Sequence, residues 1–262
     1  MNNKDFRECE IPYNVLKDYG LTREMIEDLP QEVMNKFLSG YLSPKLPLTL
    51  HTSIGNMQIM SKLRLERNIG GTVDVFFLPE LGTSKLSMYS EEEQEKLLRG
   101  EVITSFTNPN MEDNDRNTLF YVQYDDQINQ VLFAPVEVIK ENIILLSHCV
   151  QLDEDDKEML MDGLPITNKL GFENRRYERV TFGVDLRYPT GIFVTNSEKA
   201  EKNNKQEGFT QKYNFGINGV WIADGDSAYY VKEEDYTDEI KLQMSSAIKQ
   251  NQDNAETRGY RR

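Results

Sequence analysis

The amino-acid sequence predicts an α+β fold of tandem helix–glycine–antiparallel hairpin units, followed by a C-terminal hairpin and helix. Three short helical patterns end at Gly40, Gly100 and Gly163, which are spaced 60 and 63 residues apart. After each glycine, apolar and polar residues alternate with a period of two, which is typical of strands that bury one face. Such strands form antiparallel sheets, whereas buried parallel strands are apolar throughout. The repeated order indicates a series of similar units.

The helical segments carry recognisable start and stop signals. In YSEEEQEKLLRG, Ser90 is followed three residues later by Glu93, which is the pattern of a capping box. In LDEDDKEMLMDG, Asp153 is a favourable N-cap residue. A glycine directly after a helix adopts the left-handed conformation that closes the last turn. These signals predict three short helices, each ended by its glycine.

The strand-like segments after each glycine fall into hairpins. Pro79 and Pro135 stand at equivalent places and are expected to close the return strands of the first two units, because proline is tolerated at strand ends. The alternating apolar positions are Leu63, Leu65, Val73, Val75 and Phe77 in the first unit, Phe120, Val122, Tyr124, Val131 and Phe133 in the second, and Val180, Phe182, Val184, Leu186, Ile192 and Val194 in the third.

The last quarter of the chain has a different pattern. A polar stretch at 197–208 is typical of a linker, and a similar loop is predicted at 108–117. Asp224-Gly225 predicts a two-residue hairpin turn, and residues 238–250 carry a helical apolar pattern. We therefore divide the chain into units at 1–83, 84–141 and 142–197, a C-terminal hairpin and helix at 198–250, and a disordered tail at 251–262.

Composition and charge restrict the functional class. The 262 residues are 38% hydrophobic and 28% charged, which excludes a wholly disordered chain. The formal net charge is −14, so direct binding to nucleic acid or to an anionic membrane is not expected. Cys9 and Cys149 form no metal-binding or redox motif, and no targeting segment is evident. The sequence predicts a cytoplasmic protein that is a monomer or a weak oligomer.

No catalytic, cofactor-binding or metal-binding residues are predicted. His51 and His148 are the two histidines, which excludes a multi-histidine site. We interpret the apolar run ENIILLSHCV as a strand, in which His148 and Cys149 point to opposite faces and cannot easily share an ion. Asp224-Gly225-Asp226 lacks the spacing of a calcium loop, and the glycines of Phe215–Gly219 precede a strand rather than the helix that a phosphate loop needs.

The absence of a catalytic motif favours a non-enzymatic binding or adaptor protein. The alternative is an acid-metal hydrolase or nuclease acting on mobile-element DNA, since paired carboxylates such as Asp125-Asp126 and Asp155-Asp156 are numerous. Such pairs are also expected by coincidence in a chain with 44 acidic residues.

Two acidic segments hold most of the negative charge, with net charges of −5 at 153–162 and −6 at 224–239. The second also carries aromatic residues, and aromatic anchors beside steering charges are typical of protein interfaces. A basic protein partner is therefore expected there; the competing interpretation is that the aromatic residues fill a core and the acids surround it. The candidate partner-binding residues are Asp224, Asp226, Tyr229, Tyr230, Glu233, Glu234 and Asp235.

Several short phrases carry a resemblance to a known group of domains. They include IPYNVLKDYGLTREMIEDLP, YVQYDDQINQVLFAPVEVI, GVDLRYPTGIFV and KYNFGINGVWIADGD, and together they cover roughly residues 10–240. In these phrases and in its repeat pattern the chain resembles uncharacterised domains of accessory proteins from conjugative transposons of anaerobic gut bacteria. The resemblance implies a mobile-element context and supplies no catalytic residues.

Overall fold

The computed structural model confirms an α+β fold. It describes residues 6–107, 118–147, 150, 152–173, 176–196, 209, 211–225 and 227–259. These residues contain seven α-helices and twelve strands, and the strands form four antiparallel sheets of three strands each. The predicted loop 108–117, the predicted linker 197–208, His148, Cys149, Asp226 and residues 260–262 lie outside the described residues.

Five of the seven α-helices have eight residues or fewer, and two are longer. In chain order they are α1 (Tyr13–Asp18), α2 (Arg23–Glu27), α3 (Gln31–Phe37), α4 (Glu91–Leu98), α5 (Val136–Ser147), α6 (Glu154–Met161) and α7 (Asp238–Gly259). Single turns of 3-10 helix occupy Glu8–Glu10, Leu86–Met88 and Glu233–Asp235.

Each sheet is a simple meander in which consecutive strands pair. The first unit contains β1 (Leu46–Thr52), β2 (Gly55–Arg67) and β3 (Val73–Pro79), and the second contains β4 (Ile103–Ser105), β5 (Phe120–Asp125) and β6 (Gln130–Pro135). The third contains β7 (Ile166–Glu173), β8 (Arg176–Val184) and β9 (Ile192–Asn196), and the C-terminal sheet contains β10 (Tyr213–Phe215), β11 (Gly219–Asp224) and β12 (Ser227–Lys232). As predicted, β3 and β6 end at Pro79 and Pro135.

All three repeat glycines follow helices and have φ angles of 78°, 79° and 81°. After each glycine, the next residue donates its N–H to the carbonyl five positions earlier: Tyr41 to Lys36, Glu101 to Lys96 and Leu164 to Met159. This is the hydrogen bond of a Schellman motif, which closes a helix around a left-handed residue. Gly20, with φ of 82°, ends α1 with the same bond, from Leu21 to Leu16. A glycine in the left-handed conformation therefore ends a helix at the three predicted positions and also at Gly20.

The ends of three sheets also share one feature. The residue after the third strand adds one further backbone hydrogen bond beyond the last ladder pair: Glu80 to Met60 (2.7 Å), Val136 to Leu119 (2.9 Å) and Glu233 to Asn218 (3.0 Å). The chain therefore leaves these three sheets in an equivalent way, and positions after the third strand can be compared between units.

The three units do not form an open row, because the first unit contacts the third as well as the second. Tyr41 of the first unit and Tyr188 of the third pack edge to face, with ring centroids 5.2 Å apart. Between the second and third units, the Tyr121 hydroxyl lies 3.0 Å from the carbonyl oxygens of Leu160 and Met161. The second and third units also share one hydrophobic core.

The C-terminal sheet packs on the first unit rather than on the third. Trp221 and Ala228 belong to the same core as Leu16, Ile26 and Leu63 of the first unit. Strand β12 lies beside β1, with a parallel bridge between Lys45 and Ser227. The opposite face of the C-terminal sheet is covered by α7 through Ile240. The C-terminal sheet therefore packs on the N-terminal part of the chain.

Two sequence predictions are wrong. The described part of the apolar run up to Ser147 is helical and not a strand: α5 covers Val136–Ser147 and buries Val136, Ile139 and Ile143 at helical spacing. The predicted boundary between residues 141 and 142 therefore falls inside a helix. In addition, α7 continues to Gly259, so residues 251–259 are helical where a disordered tail was predicted. No helix among the described residues has the length and apolar character needed to cross a membrane.

Candidate protein-binding surface

One face of the C-terminal sheet is buried against the first unit. Trp221 is fully buried there, and its Nε1–H donates to the carbonyl of Met25 at 2.9 Å. Its cross-strand neighbour Tyr230 packs on it, with ring centroids 5.2 Å apart. Trp221 therefore belongs to the core, as the competing interpretation of these aromatic residues expected, and it cannot anchor a partner.

Tyr230 is held by a buried carboxylate from the first unit. Asp28 is 5% exposed and accepts hydrogen bonds from the backbone N–H groups of Ile217 (2.7 Å) and Asn218 (2.9 Å). It also accepts a hydrogen bond from the Tyr230 hydroxyl. Burial, together with this bond to Asp28, raises the pKa of Tyr230. Tyr230 thus joins the C-terminal sheet to the N-terminal helices and is not available as a surface anchor.

Tyr229 lies on the opposite face of β12, because successive side chains of a strand alternate. It is 49% exposed. Tyr213 and Tyr229 both pair with Ile222 of the central strand and therefore share this outer face. The Tyr213 hydroxyl donates to Glu239 Oε1 at 2.7 Å, which raises the pKa of Tyr213. Tyr213 thus borders the start of α7, and Tyr229 lies two strands away on the same face of the sheet.

Acidic side chains crowd the segment that joins this sheet to α7. We call it the acidic surface, and it consists of Glu233, Glu234, Asp235, Asp238 and Glu239. All five residues are exposed, and no basic residue lies between them in the sequence. The neighbouring Lys232 forms a long ion pair with Glu234, with an Nζ–Oε1 distance of 3.9 Å. Carboxylates in the first turn of α7 also complement the helix dipole, so part of this charge stabilises the helix start.

The structure separates Asp224 from the predicted carboxylates Glu233, Glu234 and Asp235. Asp224 pairs with Ser227 at the turn end of the β11–β12 hairpin, whereas Glu233 follows the other end of β12. Six residues of strand at ~3.3 Å each place the two about 20 Å apart. That is beyond the screening length of ~8 Å at physiological salt. Asp224 therefore makes no common site with Glu233, Glu234 and Asp235.

A small polar cleft lies beside Asp28. Its volume is about 300 Å³, and its lining includes Glu27, Asp28, Gln31, Gln211, Asn214 and Gly216. The loop Phe215–Gly219, whose glycines were considered above for a phosphate loop, forms one wall. In this loop the backbone N–H groups of Ile217 and Asn218 donate to a carboxylate. That carboxylate is Asp28 of the same chain and not a bound anion.

The other sequence candidates occupy ordinary structural positions. His51 is exposed, and its Nδ1 lies 2.8 Å from Asn56 Oδ1. Asp125 is buried against Lys62, and Asp156 completes the capping box of α6 with Asp153. Within the described part of the chain, no group of three or more His, Cys, Asp or Glu side chains is arranged to hold a metal ion.

The sequence analysis missed Asp28, Tyr213 and Glu239. Asp28 precedes Leu29-Pro30 at the end of a helix and has no local feature that distinguishes it from a surface aspartate. Its partners lie about 190 residues away in the chain. Glu239 could have been predicted from the sequence, because it belongs to the acidic segment 224–239. Tyr213 could have been predicted as a strand residue, because it begins an alternating apolar pattern with Phe215 and Ile217.

Comparison with known protein families finds a match in the first part of the chain. A family model described as a protein of unknown function, DUF4099, matches residues 6–86. This range contains α1 to α3 and the first sheet, which form the first unit. No curated protein and no solved structure matches the chain.

Proposed function

We propose that this protein is a non-enzymatic binding or adaptor protein that engages a basic protein partner through the acidic surface. The observation that carries the proposal is the run of five exposed carboxylates that follows β12, the strand that carries the half-exposed Tyr229. The mobile-element context of the proposal is supported only by the resemblance of the sequence phrases.

The surface has two properties that favour protein recognition. An excess of exposed carboxylates attracts a basic partner and accelerates its association, an effect that is strongest at low salt. Tyr229 offers an aromatic ring with a polar tip, which is the kind of side chain that anchors interfaces. Tyr213 is held in place by Glu239, so the ring beside Tyr229 is already positioned before a partner arrives.

The charge requirement is tested with a labelled peptide of lysine, arginine and leucine as the probe. Reversal of Glu233 and Glu234 to lysine is expected to slow association strongly at low salt, with stability changed by less than ~0.5 kcal/mol. The matched control reverses Asp155 and Glu158 on α6, two exposed acids that give the same change in net charge. An equal loss in both variants would show that net charge alone attracts the probe and would contradict the proposal.

The anchor is tested separately with Tyr229→Ala. Removal of an interface anchor is expected to increase the dissociation rate more than it changes the association rate. Tyr19→Ala is not a suitable control because Tyr19 packs on Phe77 in the first unit. Phe76→Ala is suitable, since Phe76 is 48% exposed on another sheet. Unchanged dissociation of the probe from the Tyr229 variant would remove this residue from the interface.

A further inference from the structure

The turn between the second and third strands is a docking element in the second unit. Ile128, in the turn between β5 and β6, is fully buried. Its carbonyl accepts a hydrogen bond from the N–H of Leu81 at 2.9 Å, and Asn129 Nδ2 donates to the carbonyl of Leu81 at 2.8 Å. Leu81 lies two residues after β3. The turn of the second unit therefore docks on the segment that follows the third strand of the first.

The third unit repeats this arrangement. Leu186, in the turn between β8 and β9, is 8% exposed. In the same turn, the carbonyl of Thr190 accepts a hydrogen bond from Asn142 Nδ2 at 2.7 Å, and Gly191 packs directly against Ile139. Ile139 and Asn142 belong to α5, which begins directly after β6. Each turn thus contacts the segment after the third strand of the preceding unit, at the second residue (Leu81) in one case and at the fourth and seventh residues (Ile139 and Asn142) in the other.

The equivalent turn of the first unit is exposed. Ile69, between β2 and β3, has a relative exposure of 109%. Hydrogen bonds hold the turn around it: Gly71 N–H to Asn68 (2.9 Å), Asn68 N–H to Thr72 (2.9 Å) and Asn68 Nδ2 to Asp74 (3.0 Å). A preorganised turn loses little conformational freedom when it docks. The first unit thus presents an apolar tip in the position that is buried in the next two units.

An equivalent acceptor segment follows β12. The extra ladder bond of Glu233 corresponds to that of Glu80, so Glu234 occupies the position of Leu81. Glu234 is exposed, and among the described residues no hairpin turn of a neighbouring unit covers it.

We propose that the Ile69 turn of one copy docks beside Glu234 of a second copy, head to tail. The inference rests on the two filled contacts within the chain and not on a basic partner. The two copies are both acidic, so association should strengthen as salt screens their repulsion. Binding of a basic partner to the acidic surface should weaken with salt. The salt dependence therefore distinguishes failure of this proposal from failure of the proposed function.

Sedimentation velocity of the full chain over a range of protein and salt concentrations is the test. We expect concentration-dependent association that Ile69→Asp weakens by roughly tenfold or more, because the substitution places a charge at an apolar contact. The matched control is Ile54→Asp, since Ile54 is 97% exposed at the turn between β1 and β2 and has no docking equivalent. A wild-type chain that stays monomeric at high salt, or equal effects of the two variants, would overturn the proposal.

A crosslink tests the acceptor. In a Cys9→Ser, Cys149→Ser background, chains with Ile69→Cys mixed with chains with Glu234→Cys should form a disulfide-linked dimer under mild oxidation. Chains with Ile54→Cys in place of Ile69→Cys should form it much more slowly. Equal rates for the two pairs would place the contact elsewhere and refute the assigned acceptor.

Discussion

Lys62 of the first unit and Asp125 of the second form a buried ion pair with an Nζ–Oδ2 distance of 2.6 Å. Both side chains are 1% exposed. Arg187 of the third unit lies nearby; its hydrogen bond with Asp185 and, to a smaller extent, the charge of Asp125 raise its pKa. Burial lowers the pKa of Lys62, against the opposing effect of Asp125. The three units therefore meet at charged groups that depend on one another for compensation.

Removal of one member of this pair should destabilise the protein strongly. Lys62→Met or Asp125→Leu alone leaves an uncompensated buried charge, which typically costs about 3–5 kcal/mol. The double variant should recover most of the loss, because an apolar pair needs no compensation. Urea unfolding of all four proteins measures the interaction.

The control for this cycle is the exposed pair of Lys96 and Glu92 on α4, at 3.0 Å. Its removal should change the free energy of unfolding by less than about 0.5 kcal/mol. If Lys62→Met is as mild as Lys96→Met, the buried pair does not connect the units energetically.

Asp28 should be needed to hold the C-terminal sheet on the first unit. Asp28→Asn replaces an acceptor oxygen by an NH₂ group that faces hydrogen-bond donors, and we expect a loss of roughly 2–3 kcal/mol. Amide hydrogen exchange should accelerate first in β10–β12. Asp18→Asn, at an exposed position near the end of α1, is the matched control and should have no such effect. Unchanged exchange in the Asp28 variant would contradict this role.

Local signals in the sequence predicted the fold well, and distant contacts escaped it. Gly100 and the Ser90–Glu93 capping box act within one helix, so a short stretch of sequence contains the whole cause. Lys62 and Asp125 are 63 residues apart, and each is an ordinary charged residue until the two sheets pack.

The error at α5 has a local cause. The run around Ile143 is apolar on adjacent positions, so periodicity alone does not separate a buried helix from a strand. At the candidate surface, the alternation of side chains along a strand is sufficient to place Tyr229 and Tyr230 on opposite faces of β12. Alternation could not show that Asp28 would accept a hydrogen bond from Tyr230. It also could not show that Asp224 would lie at the turn end of the hairpin, far from Glu233.

The repeat glycines should differ in their sensitivity to substitution. Gly100→Ala places a side chain at φ of 79° in open space, so only the left-handed conformation is penalised, by about 1–2 kcal/mol. Gly163→Ala should cost more, because its Cβ would lie 3.0 Å from the carbonyl oxygen of Val102. Gly82→Ala, without a positive φ and with open space around it, is the control and should be close to neutral. Thermal unfolding of the three variants gives the order, and equal losses at Gly82 and Gly100 would contradict the conformational explanation.

The buried Tyr121 should make the protein sensitive to alkaline pH. Burial raises the pKa of Tyr121 to about 12, whereas the unfolded chain should titrate near the ordinary value of ~10. The folded state therefore retains a proton that the unfolded state loses, and stability falls as pH rises from about 10 toward 12. Tyr121→Phe removes the hydroxyl that bonds to the last carbonyls of α6, so it should be less stable by about 1–2 kcal/mol below pH 10. Above that pH the difference should narrow by up to about 1.4 kcal/mol per pH unit, because the variant has no proton to lose. Guanidinium unfolding of both proteins at a series of alkaline pH values measures this difference. A difference in stability that stays constant with pH would mean that Tyr121 titrates alike in the folded and unfolded chains, and would contradict the effect of burial on its pKa.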